Sequence, residues 1–182
     1  DSEGPRPLSY IDPFLLDAFG HWSPAADAAY DTYCANHGTP PLVIDGRLPH
    51  TAGLPLADEL ALILASASEA LATRGTEVLK TEHPLRVLIH VDTSYFLEIA
   101  KLRALRLVLP QVVEAYSETH GSNHTLTPDD LSIYAETSPR SHTLFDPHSN
   151  LLRAATQGAA AVIGGVEQLV VHPFRRDDHN ET

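Results

Sequence analysis

The chain has 182 residues, with 24 acidic against 12 basic side chains and a formal net charge of −12. Such a surface repels phosphate backbones and anionic lipid, which excludes nucleic acid and membranes as expected partners and marks a very soluble protein. The length suits one domain with a proper core, but falls short of the roughly 250 residues of a complete eight-stranded α/β barrel.

Residues 1–41 read as a lead-in arm punctuated by proline and glycine, with an apolar patch from Ile11 to Phe19 and a short helix from Ala25 to Cys34. No basic, then apolar leader opens the chain, and it starts at Asp1 without a methionine anywhere, so an excised fragment is expected. Cys34 is the sole cysteine. It leaves no internal disulfide, fits a reducing compartment (cytoplasm, or mitochondrial matrix in a eukaryote) and reads as a small buried hydrophobe. Beyond the arm, strand and helix signals alternate four times, the pattern of parallel βα units. Leu42 to Ile44 is the first strand core, and an Ala/Leu-rich helix follows from Leu56 to Ala72, stopping near Gly75. The apolar run Leu54 to Leu71 contains Asp58, Glu59 and Glu69, so it cannot cross a bilayer. Arg86 to Val91 is the second strand, followed by a long helix from Tyr95 to Tyr116 and a polar surface loop from Glu118 to Asp130. Leu131 to Ala135 is the third strand. Asp146-Pro147 then opens a helix, with an acidic N-cap and a proline whose missing N–H does no harm in the first turn. Gly164-Gly165 ends that helix, Gln168 to Val171 is the fourth strand, and residues 175–182 form a polar tail.

The expected architecture is therefore α/β: an N-terminal arm, then four consecutive βα units over residues 42–174 that form half of a TIM-type (β/α)8 barrel. The other half is missing, or another chain supplies it, or the sheet is open and doubly wound. In parallel α/β folds, functional residues stand beyond the carboxyl ends of the strands. The candidates there are Arg47 and His50 after the first strand, His90 at the end of the second, Glu136, Ser138 and Arg140 after the third, and His172 after the fourth. With eleven histidines in the chain, His50, His90, Asp92, Glu136 and His172 could converge on a divalent metal, as in a barrel hydrolase. No His-x-His or His-Glu-x-x-His spacing supports this, so no metal site is assigned. No glycine-rich phosphate loop and no Gly-x-Ser-x-Gly elbow is present.

Four stretches carry a resemblance. They are Asp45-Gly46-Arg47-Leu48-Pro49-His50-Thr51-Ala52-Gly53, Phe96-Leu97-Glu98-Ile99-Ala100-Lys101-Leu102-Arg103-Ala104, Asp146-Pro147-His148-Ser149-Asn150-Leu151-Leu152-Arg153, and Gly164-Gly165 with the strand running to Pro173-Phe174. In this order they resemble the barrel of the methylmalonyl-CoA mutase family, over Leu42 to Phe174. The resemblance implies a partner in adenosylcobalamin-dependent rearrangement of an acyl-CoA carbon skeleton, with strand-end residues at a barrel mouth. Catalytic members place Ser-Gly-Tyr-His before the Ala-Gly of the first stretch, with Tyr and His against substrate and radical. This chain has Arg47 and Leu48 at those places, so the aligned proton donor is gone. Nor does Asp146-Pro147-His148 continue into the family's Asp-x-His-x-x-Gly cobalt-ligand motif. The form of the third stretch is closest to the small, non-catalytic subunit. The resemblance thus implies no catalytic residue and no cofactor bound by this chain itself, adenosylcobalamin in the complex, and a heterodimer with a catalytic large subunit. Two readings stay open beside it: an active acyl-CoA mutase piece whose Arg47 faces an acidic acyl group, and a metal-dependent barrel hydrolase. An isolated half-barrel is also expected to self-associate through its open edges.

Overall fold

The computed structural model describes residues 42–75, 79, 84–121 and 125–174, together with residues 32, 35 and 36. Apart from Thr32, which is helical, the expected arm helix, the burial of Cys34 and the polar tail lie outside the described residues. Chain order runs β1 (Leu42–Asp45), α1 (Arg47–Thr51), α2 (Leu56–Arg74), β2 (Leu85–Val91), α3 (Tyr95–Thr119), β3 (Leu131–Thr137), α4 (Ser149–Gly164) and β4 (Gln168–Val170). Short 3-10 turns at Pro128–Asp130 and Pro139–Ser141 flank β3.

The strands are parallel and ordered β1-β2-β3-β4, each paired with its neighbour in sequence. A doubly wound sheet reverses direction at a switch point, and this order has none, so the architecture is a partial βα barrel. It is not closed: β1 and β4 each keep one edge unpaired among the described residues.

Alternation along the strands separates two faces. Leu42 and Ile44 of β1 align with Leu85 and Val87 of β2, and these with Leu131 and Ile133 of β3. This apolar row is buried with Ile63, Ala67, Ala70 and Leu71 of α2, Leu102, Leu105, Leu109 and Val113 of α3, and Ala160 and Ala161 of α4. The helices therefore cover one face, the outside of the incipient barrel. The opposite row carries Val43, Asp45, Arg86, Leu88, His90, Ser132, Tyr134 and Glu136, of which His90 and Ser132 are buried and the rest only partly so. Below the sheet, Arg106 of α3 donates to the carbonyls of Pro128, Leu131 and Gly165 and pairs with Glu167 at 2.7 Å. One guanidinium thus ties the start of β3 to the α4–β4 turn.

Three local expectations are corrected. α1 was not foreseen. It forms because the Asp45 carboxylate accepts the Arg47 backbone N–H at 2.9 Å and turns the chain immediately. β3 runs on through Glu136 and Thr137, which pair with His90 and Val91, so Glu136 is a strand residue rather than a loop residue. Helix α4 starts at Ser149 rather than at Asp146-Pro147. Asp146 instead bonds the Ser149 hydroxyl in a preceding turn, and His148 takes the cap position. The expected glycine stop holds, with Gly165 in the left-handed region at φ 83°.

Candidate functional site

Two linked polar clusters occupy the carboxyl ends of the strands. The first is a chain of charges. Asp45, at the end of β1, receives both Nε (2.9 Å) and Nη2 (2.8 Å) of Arg47, while Arg47 Nη1 reaches Glu136 on β3 at 2.5 Å. The other Glu136 oxygen accepts from His172 Nε2 at 3.0 Å, and the His172 backbone N–H donates to Thr137 Oγ1 at 2.8 Å. Asp45, Arg47, Glu136 and His172 therefore bridge β1, β3 and the end of β4 across the mouth. The hydrogen bond to Asp45 outweighs burial and raises the Arg47 pKa, so this group stays charged. Burial alone would raise Glu136, but hydrogen bonds from His172 and Arg47, with the guanidinium charge, hold its carboxyl below the ordinary range.

The second cluster is deeper. His50, 2% exposed, stands between Glu59 of α2 (Nδ1 to Oε1, 2.8 Å) and Ser138 (Nε2 to Oγ, 2.7 Å). Burial pushes Glu59 up, yet the His50 hydrogen bond and the Lys101 charge prevail and keep it below the ordinary value, so it is ionised at neutral pH. Donor matching then puts the proton of a neutral His50 on Nδ1, leaving Nε2 to accept from the Ser138 hydroxyl. The other Glu59 oxygen meets Lys101 Nζ at 3.2 Å, and Lys101 also contacts Glu98 at 2.6 Å and the His90 carbonyl at 2.9 Å. This fully buried ammonium therefore neutralises part of two buried carboxylates. Arg140 joins from above, donating from Nη1 to the His50 carbonyl at 3.0 Å and from its backbone N–H to Ser138 Oγ at 3.2 Å. Gln157 of α4 donates to the Ser138 carbonyl and the Ser141 hydroxyl.

His90 lies between the clusters. It pairs in register with Glu136, its ring centroid is 5.4 Å from that of His50, and its Nδ1 is buried without a hydrogen-bond partner. Burial lowers its pKa, and repulsion from Arg47, and from His50 whenever that ring is protonated, outweighs the opposing pull of Glu136.

All seven sequence candidates, Arg47, His50, His90, Glu136, Ser138, Arg140 and His172, thus come to one end of the sheet, where most of them satisfy each other. Glu59, His50 and Ser138 stand in the order of an acid–base–nucleophile relay. Ser138 is nevertheless 0% exposed and its oxygen also accepts from Arg140, so the geometry locks two loops together rather than presenting a nucleophile. No group of three or more His, Cys, Asp or Glu among the described residues is arranged to hold a metal ion. Both His50 nitrogens are spent on Glu59 and Ser138, and His172 is spent on Glu136. Sequence reasoning missed Glu59, Glu98, Lys101 and Gln157. A signal existed in α3, where Glu98 and Lys101 share the helical stripe of Leu102 and Leu105, placing charges on the core face.

Sequential parallel strands, helices on the outer face and polar groups at the strand ends define an α/β-barrel segment with its mouth residues in place. The chain belongs to the methylmalonyl-CoA mutase family, whose model matches residues 27–178. It is 33% identical over 138 residues to the methylmalonyl-CoA mutase small subunit of Porphyromonas gingivalis, covering 71% of this chain and 22% of that protein. It is 32% identical over 136 residues to the small subunit of Streptomyces virginiae, covering 73% and 21% respectively. Against the human mitochondrial methylmalonyl-CoA mutase it is 30% identical over 134 residues, covering 72% and 17%. The chain thus spans about a fifth of the length of the curated relatives it matches.

The described residues do not fit a cobalamin lower ligand. The mouth histidines are engaged or buried as above. His148 caps α4 with its ring 5.9 Å from that of Phe174, while the adjacent Asp146 carboxylate is bonded by Ser149 instead of orienting the imidazole. No helix of the described residues is long and apolar enough to cross a membrane.

Proposed function

We propose that this chain is part of the barrel domain of a methylmalonyl-CoA mutase small subunit. It is a non-catalytic partner that supports the cobalamin-dependent isomerisation carried out by a large subunit. The observation that carries the reading is the state of Arg47. It stands where catalytic family members resemble one another in carrying a tyrosine, and its Nε, Nη1 and Nη2 are all committed to Asp45 and Glu136. Leu48, in the place of the aligned histidine, is 67% exposed hydrocarbon and can neither donate nor accept a proton. A guanidinium already neutralised by two carboxylates gives little support to an acidic-acyl specificity pocket. The mouth residues therefore act as a latch that fixes the strand ends, and the chemistry belongs to the partner.

In full-length form, the protein mixed with the large subunit is expected to co-elute as a heterodimer, and mutase turnover is expected to depend on the large subunit's residues alone. Full activity of an isolated large subunit that never associates would overturn the pairing. Turnover by this chain's full-length form with adenosylcobalamin, in the absence of the large subunit, would overturn the non-catalytic role.

A further inference from the structure

The short helix α1 is fastened to the rest of the mouth chiefly by polar bonds. Its buried residue is a histidine, His50. Its attachments are Arg47 to Asp45 and Glu136, His50 to Glu59 and Ser138, and the Arg140 guanidinium on the His50 carbonyl. An element with so little apolar burial opens at lower free energy than the helix layer on the other face of the sheet. The Gly46 N–H donates to the Leu88 carbonyl at 2.8 Å, so α1 begins against the end of β2.

His90 stands at that end of β2. It is 8% exposed, its Nδ1 has no hydrogen-bond partner, and its ring centroid is 5.4 Å from that of His50. The charges around it are already engaged. Asp45 and Glu136 hold Arg47, Glu59 and Glu98 hold Lys101, and Asp92 accepts the Thr93 N–H. His172 meets the second oxygen of Glu136, while Lys101 and Arg140 donate to the carbonyls of His90 and His50. Glu136 is the carboxylate in register with His90 on the neighbouring strand, so a charged His90 competes with Arg47 for it.

We propose that α1 is an acid-released strap: a proton on His90 draws Glu136 away from Arg47 and frees α1 from the end of β2. The charged ring gains Glu136 and repels the Arg47 guanidinium, and in a partly buried site that repulsion is stronger than in water. Once α1 lifts, the Ser138 hydroxyl loses His50 and the floor of the mouth is laid open. Burial and Arg47 hold His90 below the ordinary histidine range while the strap is closed, so the closed form binds fewer protons than the open one. The open population therefore rises as pH falls below the ordinary value of about 6.5, and levels off once the closed form also takes up the proton.

The test is hydrogen–deuterium exchange of the full-length protein at pH 7.5 and pH 5.5, corrected for the intrinsic pH dependence of exchange. The reporters are the amides of Ala52, Gly53 and Leu54, which are bonded to the carbonyls of α1. Their protection is expected to fall by about fivefold or more at pH 5.5 while α3 keeps its own, and His90→Gln should abolish the fall. Unchanged protection overturns the strap, and so does an equal fall in His90→Gln or a fall shared by α3. If His90→Gln does not fold, the Cε1 chemical shift of His90 in the unsubstituted protein decides. Proton uptake over the same pH range as the loss of protection supports the strap, and a ring that stays neutral while α1 opens overturns it.

Discussion

Lys101 is a core residue by position and a charge by chemistry. Its ammonium is fully buried, with Glu59 and Glu98 around it. Lys101→Met removes the cation and strands two carboxylates, which is expected to cost about 3–5 kcal/mol in chemical denaturation. An unchanged midpoint would mean that the carboxylates find other partners. Glu59 and Glu136 both hold folded-state pKa values below the ordinary 4.5. An acid depressed in the fold stabilises it above the unfolded pKa, and that contribution is lost as pH falls through the folded value. Urea midpoints should therefore hold from neutral pH down to the usual carboxylate range and decline below it. Glu59→Gln should make that acid decline shallower, and an identical slope in the variant would show that Glu59 is not among the groups responsible. Beyond the stripe that Glu98 and Lys101 share with Leu102 and Leu105, little of this was legible in the chain read as a string, because charged residues in helices are ordinarily solvated. Asp58-Glu59 and Glu98-x-x-Lys101 look like surface pairs until the helix faces are fixed by what they pack on.

At the scale of elements, the close approach of α3 and α4 is set by a missing side chain. A β-carbon at Gly164 would overlap Leu102 Cδ1 and lie 3.0 Å from Leu102 Cβ, the backbone-proximal atom that cannot swing aside. Gly164→Ala is expected to destabilise by about 1–3 kcal/mol through overpacking. Unfolding curves of the single variant and of Gly164→Ala combined with Leu102→Ala check this, since the double variant should cost less than the sum if the clash is the cause. Strands and long helices were legible because their apolar runs and glycine stops are local signals: Leu85–Val91 alternates into the core, and Gly165 takes the left-handed conformation that ends α4. The five residues of α1 gave no such signal. Pro49 sits inside them, and what builds the turn is the grip of Asp45 on Arg47, a contact between side chain and backbone that periodicity does not register. The end of β3 was drawn two residues short for a related reason. Glu136 is a poor strand former held extended by pairing with His90 of β2, and the β-branched Thr137 beyond it continues the strand beside Val91.

For the whole molecule, the sequential order of four parallel strands was legible and the polar mouth was foreseen as a place. Its internal pairing was not, since that depends on which loop meets which strand end. The 182-residue chain studied alone is expected to associate through the free edges of β1 and β4, and light scattering should find a polydisperse population instead of a discrete dimer. A dilute, stable monomer would contradict this. The acidic surface does not prevent such contact, because exposed Val170 and Val171 leave the β4 edge apolar.

The one-sided layering has a kinetic consequence. Since α2, α3 and α4 complete their packing against the outer row of the sheet alone, these four units bury a core without waiting for the inner row to be covered. That is the condition for assembly in stages: this portion can condense as a unit before the inner row of its sheet is covered.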